Sequence, residues 1–360
     1  MDKKLRIGII GCGGIANGKH MPGLSKVEEA EMVAFCDIVI EKAEKAAKDF
    51  GTEDAKVYSD YKELLKDETI DVVHVCTPNR SHSFITIDAL EAGKHVMCEK
   101  PMAKTAAEAK MMVEAAKRTG KKLTIGYQSR HRADSEYLHR AVERGDLGEI
   151  YYAKATAVRR RAVPTWGVFL NEYEQGGGPL IDIGTHALDL TLWEMNNYEP
   201  AYVVGTKYRK LADQTETGNA WGDWDPKEFT VEDSAFGFIV MKNGATIVLE
   251  SSWALNTLQV HEAVTTLCGT KGGADMLDGL RLNTVEFGRQ VEIKPDLKAG
   301  GAAFYDGKVS APHELEAKRW IDAILNDTDP VVLPEQAYCV TQILEGIYES
   351  AKTGKPYYFE

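Results

Sequence analysis

The amino-acid sequence predicts an α/β domain with a doubly wound parallel sheet, followed by an α+β domain whose sheet is mainly antiparallel. Three observations lead there. Short apolar runs alternate with helix-compatible segments through the first 128 residues. A glycine-rich turn joins the first of those runs to the first helix. Beyond about residue 130 the alternation gives way to longer Val-, Ile- and Thr-rich runs separated by turns. At 360 residues the chain suits two domains, 1–128 and 129–360.

Leu5 to Ile10 is an apolar strand that ends in Gly11-Cys12-Gly13-Gly14-Ile15-Ala16 and passes into a helix-compatible segment. The spacing GxGxxA is a form of the dinucleotide fingerprint of Rossmann domains. Gly11 permits the tight turn, Gly13 lets backbone approach a pyrophosphate, and Ala16 keeps the helix close to the strand. The helix start, at Gly14 and Ile15, offers unpaired N–H groups to the anion. A second strand, Glu31 to Cys36, ends at Asp37, about twenty residues past the glycines, where a ribose 2′-hydroxyl is accepted. Asp37 would repel a 2′-phosphate, and Ile38, Val39 and Ile40 supply no arginine, so NAD is favoured over NADP. The competing reading is a glycine turn with no ligand.

The alternation continues with a helix from Glu41 to Phe50, stopped by Gly51, and a short one from Tyr61 to Lys66. Ile70 to Cys76 reads as a buried strand leading to Thr77-Pro78-Asn79, and Ser81 to Ala92, including His82, as a helix capped by Gly93. His95 to Cys98 is a strand leading to Glu99-Lys100-Pro101; Thr105 to Thr119 is a helix closed by Gly120; Leu123 to Tyr127 is a strand leading to Gln128. In doubly wound sheets ligands sit beyond the carboxyl ends of the strands. That address makes Thr77, Pro78, Asn79, His82, Glu99, Lys100 and Gln128 candidate cofactor contacts, and Tyr127 a candidate substrate contact. Lys100 can hydrogen-bond a substrate hydroxyl or be an ordinary loop lysine; its strand-end address and the following proline favour function.

After a helix from Ala133 to Arg144, β-like runs follow at Ile150 to Val158, Tyr202 to Tyr208, Ser234 to Met241, Ala245 to Trp253 and Ala263 to Leu267. Turns such as Asn243-Gly244 point to hairpins. Helices from His313 to Leu325 and from Glu335 to Ala351 close the chain. Between the first two runs lies GGGPLIDIGTHALDL, residues 176 to 190. On a helix, Asp182 and His186 share one face a turn apart. Alone, the pair reads as a cap with a core histidine, as metal ligands, or as an acid/base pair.

The net charge of -12 argues against nucleic acid and anionic membrane surfaces as partners. Six scattered cysteines without a CxxC pair, and an N-terminus lacking a cleavage region or a spanning length, point to a cytoplasmic protein. Nine histidines without HExxH or a Cys/His cluster argue against a metal.

GCGGIA, the strand ending at Asp37, CTPNRSH, CEKP and GGGPLIDIGTHALDL occur in that order over the whole chain. Together they resemble the Gfo/Idh/MocA oxidoreductases. The resemblance implies an NAD(P)-binding Rossmann domain and a second domain with a large open sheet often used for oligomerisation, hence a homo-oligomer, a dimer or tetramer. It implies oxidation or reduction of a secondary hydroxyl of a sugar, polyol or glycoside, with C3 oxidation to a 3-oxo product as one form, and no metal. The family's catalytic lysine maps onto Lys100 and its D-x-x-x-H pair onto Asp182 and His186. His186 would then be the general base, Asp182 would orient the carbinol or tune the histidine, and Lys100 would stabilise the developing alkoxide.

Alternatives are a redox-assisted glycosidase with recycled NAD, an inositol or cyclitol dehydrogenase, and a non-enzymatic sugar or nucleotide sensor; the intact Lys100, Asp182 and His186 count against the last. Arg159, from Arg159-Arg160-Arg161, and Trp166 are candidate substrate contacts, although solvated edge charge also accounts for at least two of the arginines. Trp221 and Trp224 either stack on a sugar ring or pin their own loop. Gly176-Gly177-Gly178 either brings backbone close to substrate or gives a flexible lead into the helix.

Overall fold

Leu5–Ile10 (β1), Ala30–Cys36 (β2), Lys56–Tyr58 (β3), Val72–Val75 (β4), His95–Cys98 (β5) and Leu123–Ile125 (β6) form the first sheet. The computed structural model describes residues 4–297 and 311–360. The strand order is β3-β2-β1-β4-β5-β6, and every neighbouring pair is parallel. β4 and β6 are buried throughout and β1 everywhere except Arg6, as in strands covered by helices on both faces. The order reverses between β1 and β4, so the turns after those two strands flank the switch point at which such sheets take ligands.

Most helices start and stop where local chemistry places them. Ala106–Thr119 opens with a capping box, Thr105 with Glu108, and stops at Gly120 with φ 66°. The helix after the glycine turn is less regular: Ala16–His20 is a π turn and Met21–Leu24 a single α turn. Pro22, which has no N–H to continue the ladder, sits where they join. β3, short and only partly covered, adds a strand that the apolar pattern does not announce. β6 stops at Ile125, and Gln128–His131 forms a 3-10 turn where the sequence suggests that the strand runs on to Tyr127.

The chain forms two compact units. The first runs to His131 and takes in a C-terminal segment ending at Tyr338; the second holds Arg132–Val309 and Cys339–Glu360. A single boundary after residue 128 does not anticipate that return. Its cause is apolar burial. Ala317, Trp320 and Ile321 of the helix Pro312–Leu325 share one buried cluster with Ile7, Ile9, Met21 and Leu24, and each large side chain so buried stabilises by about 1.5–3 kcal/mol.

In the second unit, Ile150–Val158 (β7), Pro200–Tyr208 (β8), Ser234–Met241 (β9), Thr246–Ser252 (β10), His261–Gly269 (β11), Gly273–Asp275 (β12), Arg281–Glu286 (β13), Arg289–Ile293 (β14) and Tyr357–Tyr358 (β15) form one sheet. Its order is β14-β13-β12-β11-β7-β10-β9-β8-β15. Only β7 and β10 pair in parallel; every other neighbouring pair is antiparallel. Asn243-Gly244 lies in the β9–β10 hairpin, with Gly244 at φ 88°. β13 and β14 escape the sequence pattern because their residues are largely polar and exposed, and β12 because it is only three residues long. The helix Thr185–Met195 packs against β7 and β11 on one face of the sheet. No helix among the described residues is long and apolar enough to cross a membrane.

Candidate active site

In the first unit the glycine turn is shaped by neighbours on one side and open on the other. Gly11 has φ +91°, and a Cβ there would lie 2.6 Å from the Cys76 carbonyl oxygen, so the turns after β1 and β4 touch backbone to backbone. A Cβ at Gly13 or Gly14 would meet nothing within 4 Å. Asp37, at the end of β2, folds its carboxylate back over this turn: Oδ2 accepts from the Cys12 N–H and Oδ1 from the Val39 N–H, both at 2.9 Å. Ile15 is half-buried at the start of the helix. Thr77 Oγ1, beside the switch point, is buried with no hydrogen-bond partner among the described residues. An open glycine cradle, a carboxylate at the end of β2 and an orphaned hydroxyl at the end of β4 fit a bound dinucleotide.

Pro78 is exposed and Asn79 half-buried, but His82 is 1% exposed. Its Nδ1 lies 2.7 Å from the Pro101 carbonyl and its Nε2 2.8 Å from the Thr77 carbonyl, so the ring ties together the loops after β4 and β5. Two carbonyl acceptors favour two ring N–H groups, whereas burial, the larger effect, lowers the pKa. Glu99 is similarly turned inward. Its Oε1 lies 2.7 Å from His20 Nε2, and its Oε2 accepts from the Lys100 N–H at 3.0 Å. His20 Nδ1 is in turn 2.9 Å from Nδ1 of His74, whose pKa burial drives well down. Lys19 Nζ donates to Gln128 Oε1 at 2.9 Å, and both side chains line a cavity with His20, His74, Glu99 and Glu316. Lys100 is partly exposed. Tyr127 is 0% exposed and packs in the interior, leaving no surface for a substrate.

In the second unit Asp182 sits on a π turn, Leu180–Gly184, that runs into the helix Thr185–Met195 bearing His186; such widened turns are frequent at functional sites. Asp182 and His186 are the only positions from Leu180 to Leu192 that are not buried. Asp182 Oδ2 accepts from the indole Nε1–H of Trp253 at 3.0 Å, and Trp253 is itself 0% exposed. The π turn is anchored beneath. Glu232 accepts from the Gly178 N–H (3.0 Å), the Leu180 N–H (3.2 Å) and the Tyr348 hydroxyl (2.8 Å), while Ser251 Oγ donates to the Pro179 carbonyl at 2.7 Å. Burial raises the pKa of Glu232.

The glycine run is explained by crowding. A Cβ on Gly177 would lie 2.0 Å from the Tyr348 hydroxyl, and one on Gly178 2.2 Å from the Glu232 carbonyl. Neither glycine serves mainly to loosen the chain. Trp253 and Glu232 escape sequence reasoning because each lies more than 50 positions from its partner; the only local sign is an indole and a carboxylate placed beside buried strand residues.

Arg159 is engaged by Glu262 through two hydrogen bonds of 2.6 Å and lies over the Trp221 ring, 5.3 Å from its centroid. Arg160 is exposed, and Arg161 donates to Asn256 at 2.7 Å. Trp224 is buried and donates to the Ala212 carbonyl at 2.8 Å, so it pins its own loop. Trp166 and Trp221, by contrast, are 52% and 44% exposed. Among the described residues no group of three His, Cys, Asp or Glu side chains is placed to hold a metal ion.

Residues 5–127 match the model of an oxidoreductase family with an NAD-binding Rossmann fold, and residues 136–275 match the GFO/IDH/MocA C-terminal domain. The chain is 36% identical over 355 residues to a D-glucoside 3-dehydrogenase of Escherichia coli, covering 97% of this chain and 96% of that one. It is 30% identical to a glucose-6-phosphate 3-dehydrogenase of Bacillus subtilis over 66% of this chain and 65% of the relative. Among solved structures, the aldose-aldose oxidoreductase of Caulobacter crescentus, complexed with glycerol, superposes with a TM-score of 0.80 at 26% identity, covering 99% and 100% of the two chains. With the fingerprint turn, the strand-end acid and both family domains in place, the chain belongs to the Gfo/Idh/MocA family and is an NAD-binding oxidoreductase.

Proposed function

We propose that the protein oxidises the C3 hydroxyl of a D-glucoside to a ketone, with NAD as acceptor. The observation that carries this reading is the polar pair Asp182 and His186, alone unburied in an otherwise apolar helical segment. The name of the Escherichia coli relative supports the substrate and the carbon.

Gly11, Gly13, Gly14, Ile15 and Asp37, with Thr77, Pro78, Asn79, Glu99, Lys100 and Gln128, are assigned to holding the dinucleotide, and His82 to bracing the loops that carry them. When bound, NAD supplies the hydride acceptor. His186 takes the proton of the substrate hydroxyl, a task for which imidazole is the commonest side-chain base. Asp182, its carboxylate fixed by the Trp253 N–H, orients the carbinol and the imidazole. Lys100 donates to the carbinol oxygen and stabilises the negative charge that grows there as the proton leaves. Initial rates of NAD reduction across glucosides, free sugars and inositols, with product NMR, test the reading. A ketone at C3 of a glucoside is expected. Turnover confined to inositols, or glycoside cleavage without net NAD reduction, would overturn it.

The same reading makes the protein a cytoplasmic homo-oligomer, a dimer or tetramer. All six cysteines are free thiols, as reducing compartments keep them. On the sheet of the second unit, Val204, Phe238 and Val248 stand side by side on one face; Val204 and Phe238 are 41% and 46% exposed in the single chain. An apolar row of this kind is suited to burial against another copy. Light scattering that returned a monomer mass would refute this part of the proposal.

A further inference from the structure

A line of aromatic rings runs from Asp182 to the surface of the second unit. Trp253, whose indole donates to Asp182, stands edge-on to Phe169 with ring centroids 6.5 Å apart. Phe169 is edge-on to Trp166 at 5.9 Å, and Trp166 edge-on to Trp221 at 5.0 Å. The inner end of the line is fully buried, and the outer pair is about half exposed. Pinning the loop accounts for Trp224, which is buried with its N–H bonded, but not for two neighbouring indoles that keep this much apolar area in water. Trp221 is also held in place from outside. The Arg159 guanidinium lies over its ring and is itself fixed by Glu262, and the Thr165 hydroxyl donates to the Trp221 carbonyl at 2.7 Å. Exposed, mutually braced aromatic faces, linked through two rings to the catalytic carboxylate, form a platform for a flat ring bound next to the reacting one.

We propose that Trp166 and Trp221 form a subsite for the group glycosidically linked to the oxidised sugar, so that the substrate class is a glycoside whose aglycone is itself a ring. This rests on the glucoside reading above. An aryl group and a second pyranose share the required chemistry, a flat face that packs on indole, and the test separates them.

Methyl, phenyl and glucosyl glucosides of one anomeric configuration would be compared as substrates of the full-length enzyme with NAD. In the wild type, kcat/KM for a ringed aglycone should exceed that of the methyl glucoside by roughly tenfold, and Trp166→Ala or Trp221→Ala should bring the ratio to within about twofold. Trp166→Phe should restore most of it, which separates stacking from loss of the loop. A preference for phenyl alone assigns the subsite to aryl glycosides; a preference for both assigns it to rings in general. A wild-type ratio near one, or a ratio that neither alanine variant changes, overturns the subsite. If no glucoside reduces NAD, the glucoside reading fails. The same ligands titrated by tryptophan fluorescence still decide the subsite, since tighter binding of ringed glucosides that both variants abolish supports it and equal affinities overturn it.

Discussion

Trp253→Phe tests how the second unit aims its carboxylate. The substitution keeps an aromatic ring in the buried site but removes the indole N–H from which Asp182 Oδ2 accepts, at 3.0 Å. A hydrogen bond to a charged group is worth about 1.5–3 kcal/mol, which corresponds to a roughly 10- to 100-fold fall in kcat/KM if the bond is needed in the transition state. The smaller ring also leaves a void at a position with 0% exposure, costing roughly 1–3 kcal/mol of stability. Stability alone therefore does not discriminate, and two readouts together do. The Kd for NAD should stay unchanged, because the glycine turn and Asp37 lie in the other unit. The loss should fall on kcat more than on KM. A variant that keeps kcat/KM within about twofold of wild type would refute the positioning role.

Four further outcomes are expected. Asp37→Ala should weaken NAD binding roughly 10-fold or more and relax discrimination against NADP, because it removes both a charge-assisted acceptor and the repulsion of a 2′-phosphate; an unchanged NAD/NADP ratio of Kd values would sink the ribose assignment. Lys100→Ala and His186→Ala should each lower turnover by roughly 100-fold while NAD still binds, read by steady-state rates and equilibrium titration. Gly178→Ala, whose Cβ would lie 2.2 Å from a backbone oxygen, should lower stability by roughly 1–3 kcal/mol in thermal unfolding; an unshifted Tm would contradict the packing given for the glycine run. His131 supplies a pH dependence. Burial, helped by Arg319 and Arg130, pulls its pKa down to about 3, so below the ordinary value only the unfolded chain takes up the proton. Its contribution is therefore present above about pH 6.5 and lost as pH falls toward 3, about 2 kcal/mol of it by pH 5. Urea midpoints of wild type and His131→Asn should converge on acidification, and parallel curves would refute the assignment.

The parallel sheet of the first unit was legible because its central strands are buried on both faces and most of its helices carry their own stop signals. Leu5 to Ile10 and His95 to Cys98 are found where the apolar runs place them. Features that depend on exposed or polar residues were not legible: β3, and the hairpin of β13 and β14, carry little apolar pattern. The spacing of Asp182 and His186 could be read because four residues are about one helical turn, and their unburied state agrees with a shared face. The π turn beneath Asp182 could not, since it is set by Glu232 and Ser251, which are distant in sequence.

By itself the sequence determined the glycine turn, the acid at the end of the second strand, the alternation that makes a parallel sheet, and the carboxylate–imidazole pair. All of these follow from short-range geometry: residues per turn, side-chain alternation, and the backbone freedom of glycine. Only the tertiary structure decided that Trp253 aims Asp182, that Trp224 is buried while Trp221 three residues away is not, and that the helix Pro312–Leu325 returns to the first unit. The physical reason is that burial and hydrogen-bond partnership belong to pairs of segments, and which segments meet is fixed by the packing of whole layers rather than by either segment alone.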